Sequence, residues 1–248
     1  MTPRFDGFPR ETQAFLRGLE KHNNREWFQA RKQQFEEKVK QPMAELVEAI
    51  NHKLLGFAPE HVTEPRAAIY RIYRDTRFSK DKSPYKTHVA AVFPRRGLAK
   101  HAGGAFYFHV SPKEVAVAAG VYMPGPDELR TIRNHLAEHH QELESLLRAK
   151  RVRSVAGELQ GEQLARPPKG FSRDHPAEAL IRCKRWYFYS SLDPELAGTP
   201  QLIRELVNYF RTTAPVVDFL NAPLGRKKRD PLINQGLAGP LPGFRVKR

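Results

Sequence analysis

Apolar residues recur along this chain with two different periods, and the switch between them predicts where helices give way to strands. Residues 10–21, RETQAFLRGLEK, carry Phe15, Leu16 and Leu19 at helical spacing, which predicts a short amphipathic helix. Asn23 then offers a cap for a second helix, with Glu26 three residues on placed to complete a capping box. Trp27, Phe28, Phe35 and Val39 line its inner face, so NNREWF reads as cap plus core aromatics in preference to an aromatic ligand cage. Past Pro42 the pattern restarts, with Met43, Leu46, Val47, Ile50 and Leu54 at i, i+3, i+4, i+7 and i+11. That spacing predicts two helices in line, or one with a kink.

The period then becomes extended in AAIYRIYR (67–74), THVAAVFP (87–94), GAFYFHVSP (104–112) and EVAVAAGVYMP (114–124), and again in RWYFYSSL (185–192). In the third of these, Phe106, Phe108 and Val110 alternate with Tyr107, His109 and Ser111, as on a sheet with one buried and one partly polar face. Leu129, Ile132, Leu136, Leu143 and Leu147 predict a helix over 126–150. Residues 158–176 are turn-rich, and AEALIRCK predicts a short helix before the fifth strand. A last helix from about 200 to 220 has Leu202, Leu206, Tyr209 and Phe210 inward and Pro215 as a kink. The expected fold is α+β, a mainly antiparallel sheet of about five strands packed against flanking helices. One domain is expected over 1–221, and a basic Pro/Gly-rich tail over 222–248, with four prolines and four glycines, reads as extended or disordered.

Composition narrows the class. The single cysteine, Cys183, excludes an internal disulfide and any multi-cysteine metal site, which favours a reducing compartment. No apolar stretch approaches the length of a membrane span and no secretory pattern opens the chain, so a cytoplasmic protein is expected. The net charge of +15 is concentrated in two places. From Arg66 to His88, seven cations face only Asp75 and Asp81, and residues 226–248 hold seven cations against Asp230.

The first of these places carries the candidate chemistry. In RIYRDTRFSKDKSPYKTH (71–88) the cations are interleaved with Thr76, Ser79, Ser83 and Thr87, while Tyr70, Tyr73, Phe78 and Tyr85 supply apolar bodies. Seven cations cannot share two carboxylates, so the surplus faces water or a bound anion. Arginine forks, movable lysine charges and hydroxyl donors together suit phosphate or carboxylate. The candidate ligand contacts are Arg71, Arg74, Arg77, Ser79, Lys80, Lys82, Tyr85, Lys86 and His88. Asp75 and Asp81 are candidate guanidinium orienters, metal ligands or a general base, and His109, beside Tyr107, is a candidate acid or base. A solvated hairpin loop with locally paired charges is the plainer alternative for the same stretch.

The same residues carry a resemblance. RIYRDTRFSKDKSPYKTH, with NNREWF, GVYMP at 120–124, LRTIR at 129–133 and PPKGF followed by DHP around 168–176, resembles the bacterial and fungal family called domain of unknown function 2461. The resemblance spans roughly residues 5–222 and implies one intact domain centred on the basic segment. It implies no activity, cofactor or catalytic residue.

Other motifs add less. Lys169, Asp174 and His175 in PPKGFSRDHP form a second polar cluster, equally readable as a stabilised turn. His135 to His139 reads HLAEH, the H-x-x-E-H order of inverted zinc peptidases. Two helical histidines with no third ligand beyond a conceivable Glu205 make an incomplete site, so no metal is expected there. There is no phosphate loop, dinucleotide fingerprint, nucleophile elbow or recognised nucleic-acid-binding signature. The leading expectation is therefore a phosphate-bearing or otherwise anionic small molecule at residues 71–88, with an enzymatic reaction and any cofactor left open. The alternatives are a nucleic-acid-binding module using this segment and the tail, with nonspecific contact through the tail, and a scaffold docking an acidic protein.

Overall fold

A computed structural model describes residues 4–225. The expected tail largely falls on 226–248, outside the described residues. Helix α1 (Arg10–Lys21) is followed by two short turns, α2 (Arg25–Gln29) and α3 (Lys32–Phe35). A π-helical segment, Glu36–Lys40, then runs into α4 (Gln41–Leu54), so the predicted in-line helices are joined by a widened turn with Pro42 just beyond it. After a 3-10 turn at Pro59–His61 and α5 (Pro65–Ala68) come β1 (Val89–Pro94), β2 (Ala105–Val110) and β3 (Val115–Val121). Helices α6 (Pro126–Arg148), α7 (Lys150–Ala156) and α8 (Glu178–Arg182) precede β4 (Trp186–Leu192), and α9 (Gln201–Asn221) closes the fold. The helical backbone of α9 runs through Pro215, and α6 contains a non-helical residue at His139 (φ −126°, ψ 21°).

The strands form one antiparallel sheet of four, in the order β1-β2-β3-β4. One face carries Phe93, Phe106, Phe108, Val117, Trp186 and Phe188, all fully buried. Helix α9 packs on this face against β2 and β3, and α4, α6 and α7 pack on α9. Burying each such side chain contributes about 1.5–3 kcal/mol, so this apolar layer is the main source of stability. The opposite face carries Tyr107 and His109, in agreement with the alternation along β2.

The first of the five expected strands, residues 67–74, is not formed. Pro65 opens a helical turn that consumes the segment as far as Ala68, and only Ile69 and Tyr70 touch the sheet, through a bridge from Ile69 to Ala91 and Tyr70 N–H to the Ala90 carbonyl at 2.9 Å. From Arg71 the chain departs from the edge, because the charged side chains that follow need water. It pairs with itself instead, in a narrow ribbon where Lys86 N–H donates to Ile72 (2.8 Å) and Arg74 N–H to Pro84 (2.9 Å). Pro84 has no N–H to extend the ladder. At the other sheet edge Gln160 exchanges backbone hydrogen bonds with Tyr187 at 2.7 and 3.0 Å.

Three asparagines fasten connecting segments by bonding both the C=O and the N–H of a single residue. Asn23 Nδ2 donates to the Tyr85 carbonyl at 2.9 Å while its Oδ1 accepts from Tyr85 N–H at 3.0 Å. The same bidentate contact links Asn51 to Thr63 (2.6 and 3.0 Å) and Asn221 to Gly104 (3.0 and 2.8 Å). The expected cap role of Asn23 therefore moves one residue on: Asn24 Oδ1 accepts from Trp27 N–H at 2.9 Å. Both residues suit a cap locally, and the long-range contact to Tyr85 decides between them.

A recessed cavity on the polar face of the sheet

Side-chain size alternates across the polar face. In register, Val92, Tyr107, Ala118 and Tyr189 form one cross-strand row, and Pro94, Ala105, Gly120 and Tyr187 form the next. Small residues on β3 thus lie between rings on β2 and β4, leaving a hollow above the sheet. Gly120 is required there: its φ is +127°, and a Cβ would sit 2.3 Å from the Trp186 carbonyl oxygen. The hollow deepens into a cavity of about 580 Å3, walled by Tyr70, Lys86 and His88 on one side and by Lys100 and His101 on another, with Tyr122, Met123 and Gln160 at its remaining rim. No carboxylate is among the lining residues.

Tyr70 organises the cationic wall. The Lys100 ammonium lies 4.2 Å from the centre of its ring and the Lys86 ammonium 5.0 Å. His101 stacks near it with centroids 6.2 Å apart. Each lysine donates to one backbone carbonyl, Lys86 to Arg71 (3.1 Å) and Lys100 to Ala67 (2.9 Å), leaving two further N–H donors on each. Burial pulls both ammonium groups below the ordinary lysine value, with Arg71 and Lys100 adding to the effect on Lys86. Neither has an anionic partner among the described residues.

The imidazoles form a second line. His88 is pushed down to about 4 by burial, then by His109 and Lys86, and its ring centre is 4.8 Å from that of His109. Burial also lowers His101 and His109, the latter against the opposing pull of Glu114. His109 Nε2 is 3.4 Å from Glu114 Oε1, and Nδ1 is 3.2 Å from the Tyr107 hydroxyl. Hydrogen bonds from Ser191 and Tyr189 hold Glu114 below the usual carboxylate range, the Tyr189 bond being 2.9 Å. An ionised Glu114 beside Nε2 favours the tautomer protonated there, with Nδ1 accepting from Tyr107. Tyr107 itself is raised by burial and stays protonated. The array can relay a proton between the cavity and Glu114.

The predicted ligand contacts and the acid or base candidates separate into two groups. Lys86, His88 and His109 meet in the cavity. Arg71, Arg77, Lys80 and Lys82 lie exposed on the loop outside it. There Asp75 binds Arg77 through both carboxylate oxygens (3.0 and 2.7 Å), and Asp81 pairs with Arg74 and accepts from Ser83. Ser79 is 3.4 Å from Arg74, and Lys82 donates to the Thr76 carbonyl at 3.0 Å. Asp75 and Asp81 are both held well below the usual carboxylate range by these hydrogen bonds. Arg74 and Tyr85 do line a smaller hollow of about 330 Å3 with Arg25, although the Tyr85 side chain is only 1% exposed and stacks on Phe28 at 4.2 Å.

Sequence reasoning missed Tyr70, Lys100, His101, Tyr122, Tyr187 and Tyr189. For the two β4 tyrosines the alternating period was an available signal, because it sets them opposite Trp186 and Phe188. The 168–176 cluster behaves as a turn, with Asp174 N–H bonded to Ser172 and Ala177 N–H to His175 Nδ1. On α6, His135 and His139 have ring centres 4.6 Å apart, and His135 packs on Phe219. The three-residue group of metal-ligand type among the described residues excludes both. No helix among the described residues is long and apolar enough to cross a membrane.

A family model described as "Conserved hypothetical protein (DUF2461)" matches residues 11–219. No curated protein and no solved structure matches the chain.

Proposed function

The chain belongs to the DUF2461 family, and from that premise we propose that it binds a small molecule joining a phosphate or carboxylate to a planar apolar body, within the cavity on the polar sheet face. One observation carries this reading. Two lysine ammonium groups, partly stripped of water, face a hollow whose lining contains five tyrosines and no carboxylate. A partly desolvated cation without a counter-charge is costly, and an anionic ligand supplies that charge. The rings of Tyr107, Tyr187 and Tyr189 flank the small residues of β3 and suit a flat body. On this reading the anion lies deeper than the arginine-rich loop, whose acidic residues already pair with Arg74 and Arg77.

Phenyl phosphate is a suitable probe. It should raise the melting temperature of the wild type, because a ligand bound only by the native state shifts the unfolding equilibrium. The shift should vanish in Lys86→Met/Lys100→Met and persist in Arg74→Ala/Arg77→Ala. Losing two charge-assisted hydrogen bonds, each worth about 1.5–3 kcal/mol, corresponds to an affinity loss of at least about 100-fold. The reverse outcome, with only the arginine variant losing the shift, transfers the site to the loop.

A further inference from the structure

A second group of side chains lies away from the cavity, where the 3-10 turn at Pro59–His61 meets α9. His61 is fully buried, with its ring 4.8 Å from that of Phe106. Its Nδ1 lies 2.9 Å from the Phe93 carbonyl oxygen. A carbonyl only accepts, so Nδ1 carries the proton and Nε2 presents a lone pair. That nitrogen is buried and has no hydrogen-bond partner. Buried acceptors are rarely left unsatisfied in a folded chain, and two carboxylates lie near this ring. One ring nitrogen of His61 and one carboxylate oxygen each from Glu60 and Asp218 all lie within 4.8 Å of one another, and with Nδ1 held by the Phe93 carbonyl, Nε2 is the nitrogen left to serve as a ligand.

We propose that Glu60, His61 and Asp218 bind one divalent transition-metal ion of the zinc class. The histidine is already arranged as a ligand: its far nitrogen is fixed by a backbone carbonyl, the usual support for a metal-bound imidazole. Two carboxylates this close together balance a dication. One imidazole with two carboxylates favours zinc or manganese over magnesium and calcium, which prefer oxygen alone. Ligand atoms about 2.0–2.2 Å from a common ion lie at most about 4.4 Å apart. The present envelope closes to that size by rotation of Asp218, which stands exposed at the outer side of α9. Water fills the remaining positions. The ion would pin the turn after α4 to α9, beside β1 and the loop that follows it, where Arg96 N–H donates to the Glu60 carbonyl at 2.8 Å.

The test is calorimetric titration of the metal-stripped full chain with zinc chloride, repeated with cobalt chloride to read visible d–d absorption. One saturable site per chain is expected, with excess magnesium unable to compete. Asp218→Asn and Glu60→Gln should each weaken zinc by at least about tenfold, the smallest loss that removing even a supporting partner brings. Asp218 is exposed, so its variant keeps the fold even if substitutions at His61 do not. His135→Ala should leave binding unchanged. Absence of saturable zinc binding overturns the site, as does binding that survives both carboxylate variants or disappears in His135→Ala.

Discussion

The exposed loop from Asp75 to Ser83 and the recessed cavity behind it differ in what their charges are doing. The loop holds the denser run of ionic residues, yet its two aspartates close onto Arg74 and Arg77, and its most prominent apolar group, Phe78, stands 95% exposed. The cavity holds only two lysines, but both are partly desolvated, stacked over one tyrosine and unmatched by any lining carboxylate. Charge density along a sequence marks where ions are plentiful. A binding site is marked by charge that the fold has sheltered and left unbalanced.

The largest expected effect breaks the cavity at its wall. Asn221 is fully buried and bonds both the N–H and the C=O of Gly104. Asn221→Ala leaves a donor and an acceptor unsatisfied at about 1–3 kcal/mol each. A total loss of about 3 kcal/mol by urea denaturation is expected, together with loss of the phenyl phosphate response, because the Lys100 loop is released. Retained stability with an intact response shows that the wall holds by other means.

A smaller effect tests the sheltered charge directly. The His88 pKa is pushed down to about 4 from an ordinary value near 6.5. The unfolded imidazole therefore takes up its proton first, and stability present above about pH 6.5 is lost as pH falls toward 4. The full shift corresponds to about 3.4 kcal/mol, and partial solvent access reduces this to about 2 kcal/mol. His88→Asn should flatten the urea midpoint against pH over that window, leaving the contributions of His101 and His109. An unchanged slope means that His88 is solvated in the folded chain.

The smallest effect belongs to the loop. Its ion pairs are exposed and local in sequence, so Asp75→Asn with Arg77→Gln should leave the melting temperature within error. A clear loss of stability would mean that the loop is held in place by those charges and is not merely solvated.

Much of the fold was legible because periodicity reports burial directly: the alternation along β2 sorted Phe106 and Phe108 from Tyr107 and His109 correctly. Residues 67–74 misled because Ile69, Tyr70 and Ile72 have strand character while Pro65 and the following charges act against pairing. The site was half legible. Lys86, His88 and His109 belong to patterns that stand out, whereas Lys100 and His101 sit in a loop of glycine and alanine with no local signature. Their partnership with Tyr70 exists only once β1 and β2 are paired. Tyr187 and Tyr189 likewise depend on β4 joining β3, a contact between segments far apart in the chain.

The asparagine clamps have a consequence for how such a cavity changes over generations. Asn23 and Asn221 grip the backbone of Tyr85 and Gly104 and make no use of the side chains that face the opening. The two walls are thus anchored from outside themselves. Side chains that face the opening can be exchanged while the backbone that frames it keeps its place.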